Sequence, residues 1–211
     1  MELYKSFIPA VSVILPTYNR AALLEDAIKS VIDQTISDWE LLIVDDGSSD
    51  DTFKRVCKYQ EDFENIRYLR HSNRKLPLTL NTGLLASAGR YVTFLGSDDK
   101  YKPEHLQLRL EFMDANPGTD LIHGGLEIIG NPLVKDRDDL SKEIHLSECA
   151  VGGTFFGHRK IFLQLEGFKD LRYSEDSEFL DRVKAVCSVQ KIDFPTYIYN
   201  RNSPDSITNN I

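Results

Sequence analysis

Three short polar clusters carry the residue types that could do chemistry: Pro16-Thr17-Tyr18-Asn19-Arg20, Asp45-Asp46-Gly47-Ser48-Ser49-Asp50 and Gly96-Ser97-Asp98-Asp99. Each directly follows an apolar run. Asp98 and Asp99 are adjacent carboxylates, which raise each other's pKa and destabilise a fold unless a positive charge lies beside them. A divalent cation meets that need. With oxygen donors only and no His or Cys pair nearby, the chemistry favours a hard ion, Mg2+ or Mn2+, which commonly bridges one or two carboxylates to a diphosphate. Any one of these clusters could equally be turn chemistry or a helix cap. Three of them in equivalent positions point to a site.

The elements that must position them follow from the apolar pattern. Val11–Leu15, Glu40–Val44 and Tyr91–Leu95 show little polar alternation, as strands buried on both faces do. Between the first two, Leu23, Ala27 and Val31 run beside Leu24, Ile28 and Ile32 as two rows on one helical face. The unit repeats with a helix at 51–59, a strand at 66–69, a helix at 78–87 and the strand ending at Leu95. This alternation predicts an α/β fold with a mostly parallel central sheet covered by helices. Ligands of such sheets bind at the carboxyl ends of the strands, where the three clusters would converge. Beyond Pro103 the pattern predicts a helix bearing Leu106, Leu110 and Met113 that stops at Asn116-Pro117-Gly118. A strand at 120–129 continues the sheet, and the charged stretch Gly130–Ser147 reads as a surface excursion. Helices at 159–165 and 175–186, a strand at 189–193 and an extended piece at 196–200 complete the chain.

Composition bounds the reading. The sequence has 211 residues, 41% hydrophobic and 27% charged, enough for one domain with a sizeable core. A net charge of -8 provides no global field for nucleic acid or an anionic membrane, so any phosphate must be met locally. No apolar run approaches the ~20 residues of a membrane span. Met1–Ala10 lacks a signal-peptide core, which points to the cytoplasm. Cys57, Cys149 and Cys187 are odd in number and far apart, unlike a disulfide framework or a zinc cluster, and read as buried thiols.

The residues then reach a family. Val11 to Arg20, Gln34-Thr35, Asp38-Trp39-Glu40 and Ile43 to Asp50 resemble the family 2 glycosyltransferases of the GT-A fold. Asn81 to Leu84, Ala88 to Tyr91, Ser97-Asp98-Asp99, Gly152-Gly153-Thr154, Glu166-Gly167-Phe168 and Ser174-Glu175-Asp176 follow in that family's order. The resemblance runs from Val11 to about Ser206. It implies one GT-A domain over 1–211, with a nucleotide-sugar-binding half at 11–115 and an acceptor-side half, including a small C-terminal extension, at 116–211.

It also implies roles. Pro16, Thr17 and Tyr18 would line the donor site, with Tyr18 packed on the nucleotide base and Asp46 accepting its ring N–H, which favours uracil, with thymine offering the same edge. Asp98 matches the position near the ribose and metal, and Asp99 the ligand of a Mn2+ or Mg2+ that bridges the diphosphate. Asp176 matches the catalytic base of an inverting displacement, with Glu175 as the alternative; both also suit a helix N-terminus. Tyr197 to Asn200 and Arg201-Asn202-Ser203-Pro204-Asp205-Ser206 resemble a family segment that closes over the donor, in which Arg201 is placed to reach the diphosphate. The partners implied are a nucleotide sugar, probed best as a UDP-sugar, and a glycan or lipid-linked acceptor. Peripheral membrane contact is compatible with this, and nucleic acid is not expected. Two positions depart from the pattern. Leu80 stands where many relatives carry Arg, with Arg74 and Lys75 as candidate substitutes, and Gly96 stands where many carry a further Asp. Nucleotidyl transfer fits less well, because Pro16–Arg20 lacks a Gly-rich loop, and a phosphoacceptor domain has its acidic pair after the first strand. A catalytically silent nucleotide-sugar-binding protein differs from an enzyme only in measured transfer.

Overall fold

The computed structural model describes residues 8–203; residues 1–7 and Pro204, Asp205 and Ser206 of the last motif lie outside the described residues. The chain runs β1 (Val11–Thr17), α1 (Ala21–Ile32), β2 (Trp39–Asp45), α2 (Thr52–Asp62), β3 (Ile66–Arg70), α3 (Lys75–Ala86) and β4 (Tyr91–Phe94). After β5 (Lys100–Tyr101) and α4 (His105–Ala115) come β6 (Leu121–His123), β7 (Leu126–Ile129), β8 (Leu133–Lys135) and β9 (Glu143–His145). The last elements are β10 (Phe156–His158), α5 (Arg159–Gln164), α6 (Glu175–Val186), β11 (Val189–Lys191) and β12 (Tyr197–Asn200).

Seven strands form the central sheet in the order β11-β6-β10-β4-β1-β2-β3. Its strands run parallel except β10, which pairs antiparallel with both β4 and β6. The apolar runs are continuous because both faces are covered. Val13, Leu15, Leu41 and Ile43 pack with Leu24 and Ile28 of α1, Val56 of α2 and Leu106 of α4. The alternate residues Ile14, Leu42, Val44 and Val92 pack with Leu84 of α3, Phe162 of α5 and Leu180 of α6. Among the described residues no helix is long and apolar enough to cross a membrane.

Three expectations need correction. The strand expected at 120–129 is two strands, broken at Gly124 and Gly125, whose φ angles of 100° and 76° favour glycine. A Cβ on Gly125 would stand 2.1 Å from the Phe194 carbonyl oxygen, so the chain can leave the main sheet there only without a side chain. β7 then joins a second sheet, β5-β12-β7. The excursion at 130–147 is a built element: β8 and β9 pair antiparallel over a small core of Val134, Leu146 and Val151. The three cysteines are free but half-buried rather than buried. The sequence reading also missed β10, which is three residues long and centred on Gly157, too short to show a period.

The break at Gly124 is held by a buried cation. Arg109 of α4 is fully buried, and its guanidinium donates to Thr196 Oγ1 (2.7 Å) and to the Gly124 carbonyl (3.0 Å). Burial pushes its pKa down to about 10, so it stays charged at neutral pH. Arg109→Ala is expected to cost about 2–5 kcal/mol, from the cavity and from the loss of the bonds to the Gly124 carbonyl and Thr196 Oγ1. Arg109→Met keeps most of the volume and should cost less. Urea denaturation checks the order.

Candidate active site

The first two loops are tied together by the polar residues that mark them. β1 ends at Thr17 and α1 begins at Ala21, so three residues turn the chain, with Asn19 at a left-handed φ of 51°. Asn19 N donates to Ser48 Oγ (2.8 Å), and Asn19 Oδ1 accepts from Ser49 N (2.8 Å). Asp50 sits at the starts of two helices, accepting from Ala21 N (2.9 Å) and from Thr52 N (3.0 Å), where a carboxylate complements the helix ends. The adjacent Asp45 and Asp46 part company. Asp45 is buried and accepts from Ser48 N (2.8 Å) and from the Tyr68 hydroxyl, closing the turn. Asp46 lines the cavity and accepts from Arg74 N (2.6 Å) and Lys75 N (3.0 Å), capping α3.

Pro16, Thr17, Tyr18, Asp46, Asp98, Asp99 and Asp176 all line one cavity of about 1090 Å³. Tyr18 is 46% exposed on its wall. Four non-glycine residues among those described have positive φ, and three of them, Asn19, Lys75 and Ser174, line this cavity. Strained backbone of this kind concentrates at functional sites.

Asp98 pairs with Arg20 (Oδ2 to Nη1, 3.0 Å). Asp99 is 6% exposed, and each of its oxygens accepts one hydrogen bond: Oδ2 from the Tyr197 hydroxyl (2.6 Å) and Oδ1 from Asn200 N (2.8 Å). Burial and the charge on Asp98 push its pKa up to about 7 despite those bonds. Burial and the neighbouring Asp99 hold the Tyr197 phenol well above the usual tyrosine range, so it is the donor. The pair fits a cation. A Cβ placed on Gly96 would stand 2.5 Å from Asp99 Oδ2 and 3.3 Å from Asp98 Oδ1, so the two carboxylates converge over a residue with no side chain. Each Asp99 oxygen keeps a lone pair. Among the described residues no three His, Cys, Asp or Glu side chains gather into a cage. Two carboxylates suit an ion that completes its shell with phosphate oxygens and water. An Asp in place of Gly96 would require the Asp99 carboxylate to shift.

Ser174, whose φ is 62°, precedes α6, and Asp176 is the second residue of that helix. Its Oδ2 accepts from Gly152 N (3.0 Å), and its Oδ1 accepts from Ser177 N (2.7 Å). Burial raises its pKa even against these bonds, and burial with the nearby Asp176 pushes Glu175 up to about 7. Both therefore hold protons more tightly than exposed carboxylates, the tuning a general base near neutral pH requires. The Gly152-Gly153-Thr154 motif thus supplies the amide that aims Asp176.

Arg201 is turned elsewhere. It is buried, and its guanidinium donates to the carbonyls of Asn131 (3.2 Å) and Leu133 (3.1 Å), which places it under the β8–β9 hairpin and outside the cavity lining. Leu80 is buried in the core face of α3. Asn81 donates to the Phe168 carbonyl (2.7 Å) and accepts from Phe168 N (2.8 Å), so two of the ordered motifs bind each other. Gly167 is required there, because its Cβ would stand 2.1 Å from Asn81 Oδ1. Sequence reasoning missed Tyr197 and Asn200 as partners of Asp99, and missed His123, which burial and two nearby lysines push down to about 4 on the cavity wall. No local pattern signals His123, and the resemblance that sets Tyr197 to Asn200 over the donor gives neither Tyr197 nor Asn200 a partner.

The chain belongs to glycosyl transferase family 2, whose model matches residues 12–165. It is 39% identical over 137 residues to the GalNAc(5)-diNAcBac-PP-undecaprenol beta-1,3-glucosyltransferase of Campylobacter jejuni, covering 64% of this chain and 42% of that protein. It is 32% identical over 147 residues to the UDP-Glc:alpha-D-GlcNAc-diphosphoundecaprenol beta-1,3-glucosyltransferase of Escherichia coli, covering 67% and 57%. The chain therefore spans well under two thirds of these relatives' length. S. aureus TarS in complex with UDP-GlcNAc superposes with a TM-score of 0.78 at 20% identity, over 93% of this chain and 60% of that one. A mannosyltransferase from Pyrobaculum calidifontis, in complex with GDP-Man and Mn2+, gives 0.72 at 20% identity over 93% and 57%. The fold is GT-A, as the ordered motifs imply.

Proposed function

We propose that the chain moves a sugar from a nucleoside diphosphate donor to a hydroxyl of a glycan or lipid-linked acceptor, inverting the anomeric centre in one displacement. The observation that carries this is the presence, in one cavity, of the Asp98–Asp99 pair and of Asp176 held by Gly152 N. Tyr18 packs on the base, and Asp46 accepts its ring N–H. A divalent cation held by Asp98 and Asp99 would offset the charge that develops on the departing diphosphate. Asp176 takes the acceptor's proton as its oxygen attacks. UDP is favoured because the E. coli relative and the TarS complex both name a UDP-sugar. An undecaprenol-diphosphate acceptor is supported by the names of the two relatives. Free thiols suit a reducing compartment, and we place the reaction in the cytoplasm.

The test is transfer itself. UDP-sugars offered with Mn2+ and a diphosphate-linked saccharide should yield an extended acceptor and free UDP, while GDP-mannose should be a poor donor. Binding of UDP-sugar with no transfer to any acceptor and no hydrolysis would make this a binding protein. Asp46→Ala should weaken UDP binding by about 1.5–3 kcal/mol in calorimetry, the value of a hydrogen bond to a charged group. The same substitution should lower ligand-free stability by about 0.5–2 kcal/mol, because α3 loses its cap. A stability loss with unchanged UDP affinity would restrict Asp46 to capping.

A further inference from the structure

The hydroxyl of Tyr197 meets two separate segments, the loop after β4 and the turn at Gly153. It donates to Asp99 Oδ2 (2.6 Å), accepts from Gly96 N (3.1 Å) and lies over Gly153, where an added Cβ would stand 2.3 Å from the phenolic oxygen. The ring is 1% exposed and packs edge-on against Tyr101, with centroids 5.7 Å apart. A phenylalanine would fill the same space, so what the tyrosine adds is its oxygen. The other Asp99 oxygen is taken by Asn200 N, also from β12. One strand of the second sheet therefore holds both oxygens of a carboxylate that belongs to the loop after β4.

We propose that Tyr197 is a positioning residue, whose hydroxyl aims Asp99 at a divalent cation and the diphosphate it carries, and that Gly153 is glycine to leave room for that hydroxyl. This deepens the function proposed above and rests on it. A lone Asp side chain turns about two bonds. With one hydrogen bond on each oxygen, the carboxylate plane is fixed and one lone pair per oxygen remains for the ion. Outer partners that orient a ligand in this way typically change metal affinity by about 10- to 100-fold.

The test measures Mn2+ binding in the presence of saturating UDP, by the electron paramagnetic resonance signal of free Mn2+, on the parent, Tyr197→Phe, Gly153→Ala and Asp99→Ala. Tyr197→Phe should bind Mn2+ roughly 10- to 100-fold more weakly. Its affinity for uridine, which lacks the diphosphate, should match the parent's, whereas a general loosening of the fold would weaken both. In transfer assays the apparent KM for Mn2+ should rise by the same factor and kcat should change less. Gly153→Ala pushes the phenol off Asp99 by a different route and should reproduce the defect, which keeps the test alive if Tyr197→Phe folds poorly. Parental Mn2+ affinity in Tyr197→Phe, where Asp99→Ala has lost it, overturns the proposal and leaves the proposed function standing. A parent that binds no Mn2+ with UDP overturns the reading of the metal site and this inference with it.

Discussion

Asp176→Asn is expected to lower sugar transfer by roughly 100- to 10,000-fold, the contribution of a positioned proton acceptor. Nucleotide and Mn2+ affinities should stay at the parent's level. The amide keeps the size of the carboxylate, and its oxygen can still accept from Gly152 N, while Ser177 N at the first turn of α6 gives up its side-chain acceptor. What it cannot do is take the proton. If Glu175→Gln carries the large loss and Asp176→Asn does not, the base is Glu175; loss of nucleotide binding in Asp176→Asn would instead give Asp176 a structural role. Acidity separates catalysis from folding here. Burial, with Asp176 beside it, holds Glu175 at about 7, against an ordinary 4.5, and burial raises Asp176 as well. A protonated pair cannot act as base, so transfer should rise as pH rises toward and through 7. Stability should move the other way. The folded chain binds the Glu175 proton more tightly than the unfolded chain does, so its contribution is fully present below 4.5 and is lost as pH rises through about 7; Asp176, also raised by burial, acts in the same direction. Thermal melts of the parent and of Glu175→Gln over that range would sink the assignment if their pH slopes coincide.

Asp99→Ala should remove the metal-dependent part of nucleotide stabilisation. A ligand held at 100 times its dissociation constant stabilises the folded state by about 2.7 kcal/mol through mass action. The parent should show such a gain with UDP and Mn2+ and lose most of it to a chelator. In Asp99→Ala the gain with and without chelator should be the same. The variant should also be less stable without ligand by about 1–3 kcal/mol, because Asn200 N and the buried Tyr197 hydroxyl lose their shared acceptor. An undiminished metal-dependent gain in Asp99→Ala would remove Asp99 from the ligand set and leave Asp98 to be tested in its place.

The elements were legible wherever burial on both faces wrote a long apolar run. β1, β2 and β4 stand out because every residue in them meets a helix or a neighbouring strand, and α1 stands out because one face of it meets the sheet. β10 left no such trace. It places Phe156 in one core layer, next to Phe155 in the other, but over three residues that pattern is indistinguishable from a loop. The division of 120–129 between two sheets turns on Gly124 and Gly125, and their meaning depends on Ile192 and Phe194, contacts about which neighbouring residues carry no information.

By itself the sequence determined which residue types follow each strand, and so that Tyr18, Asp46, Asp98 and Asp99 would gather at the carboxyl edge of one sheet. Period and turn chemistry are local, and local rules suffice for that. Which way each group faces was decided by the tertiary structure alone. Asp45 and Asp46 are neighbours of one type, yet one closes a turn and the other meets both a helix end and the cavity. Arg201 has the charge for a diphosphate, but Asn131 and Leu133, some 70 residues earlier, hold it under the hairpin. Asp99 is oriented by Tyr197 and Asn200, 98 and 101 residues away. Hydrogen bonds of that span form only after the sheet has assembled, because a buried donor must find its acceptor among whatever segments the core brings beside it.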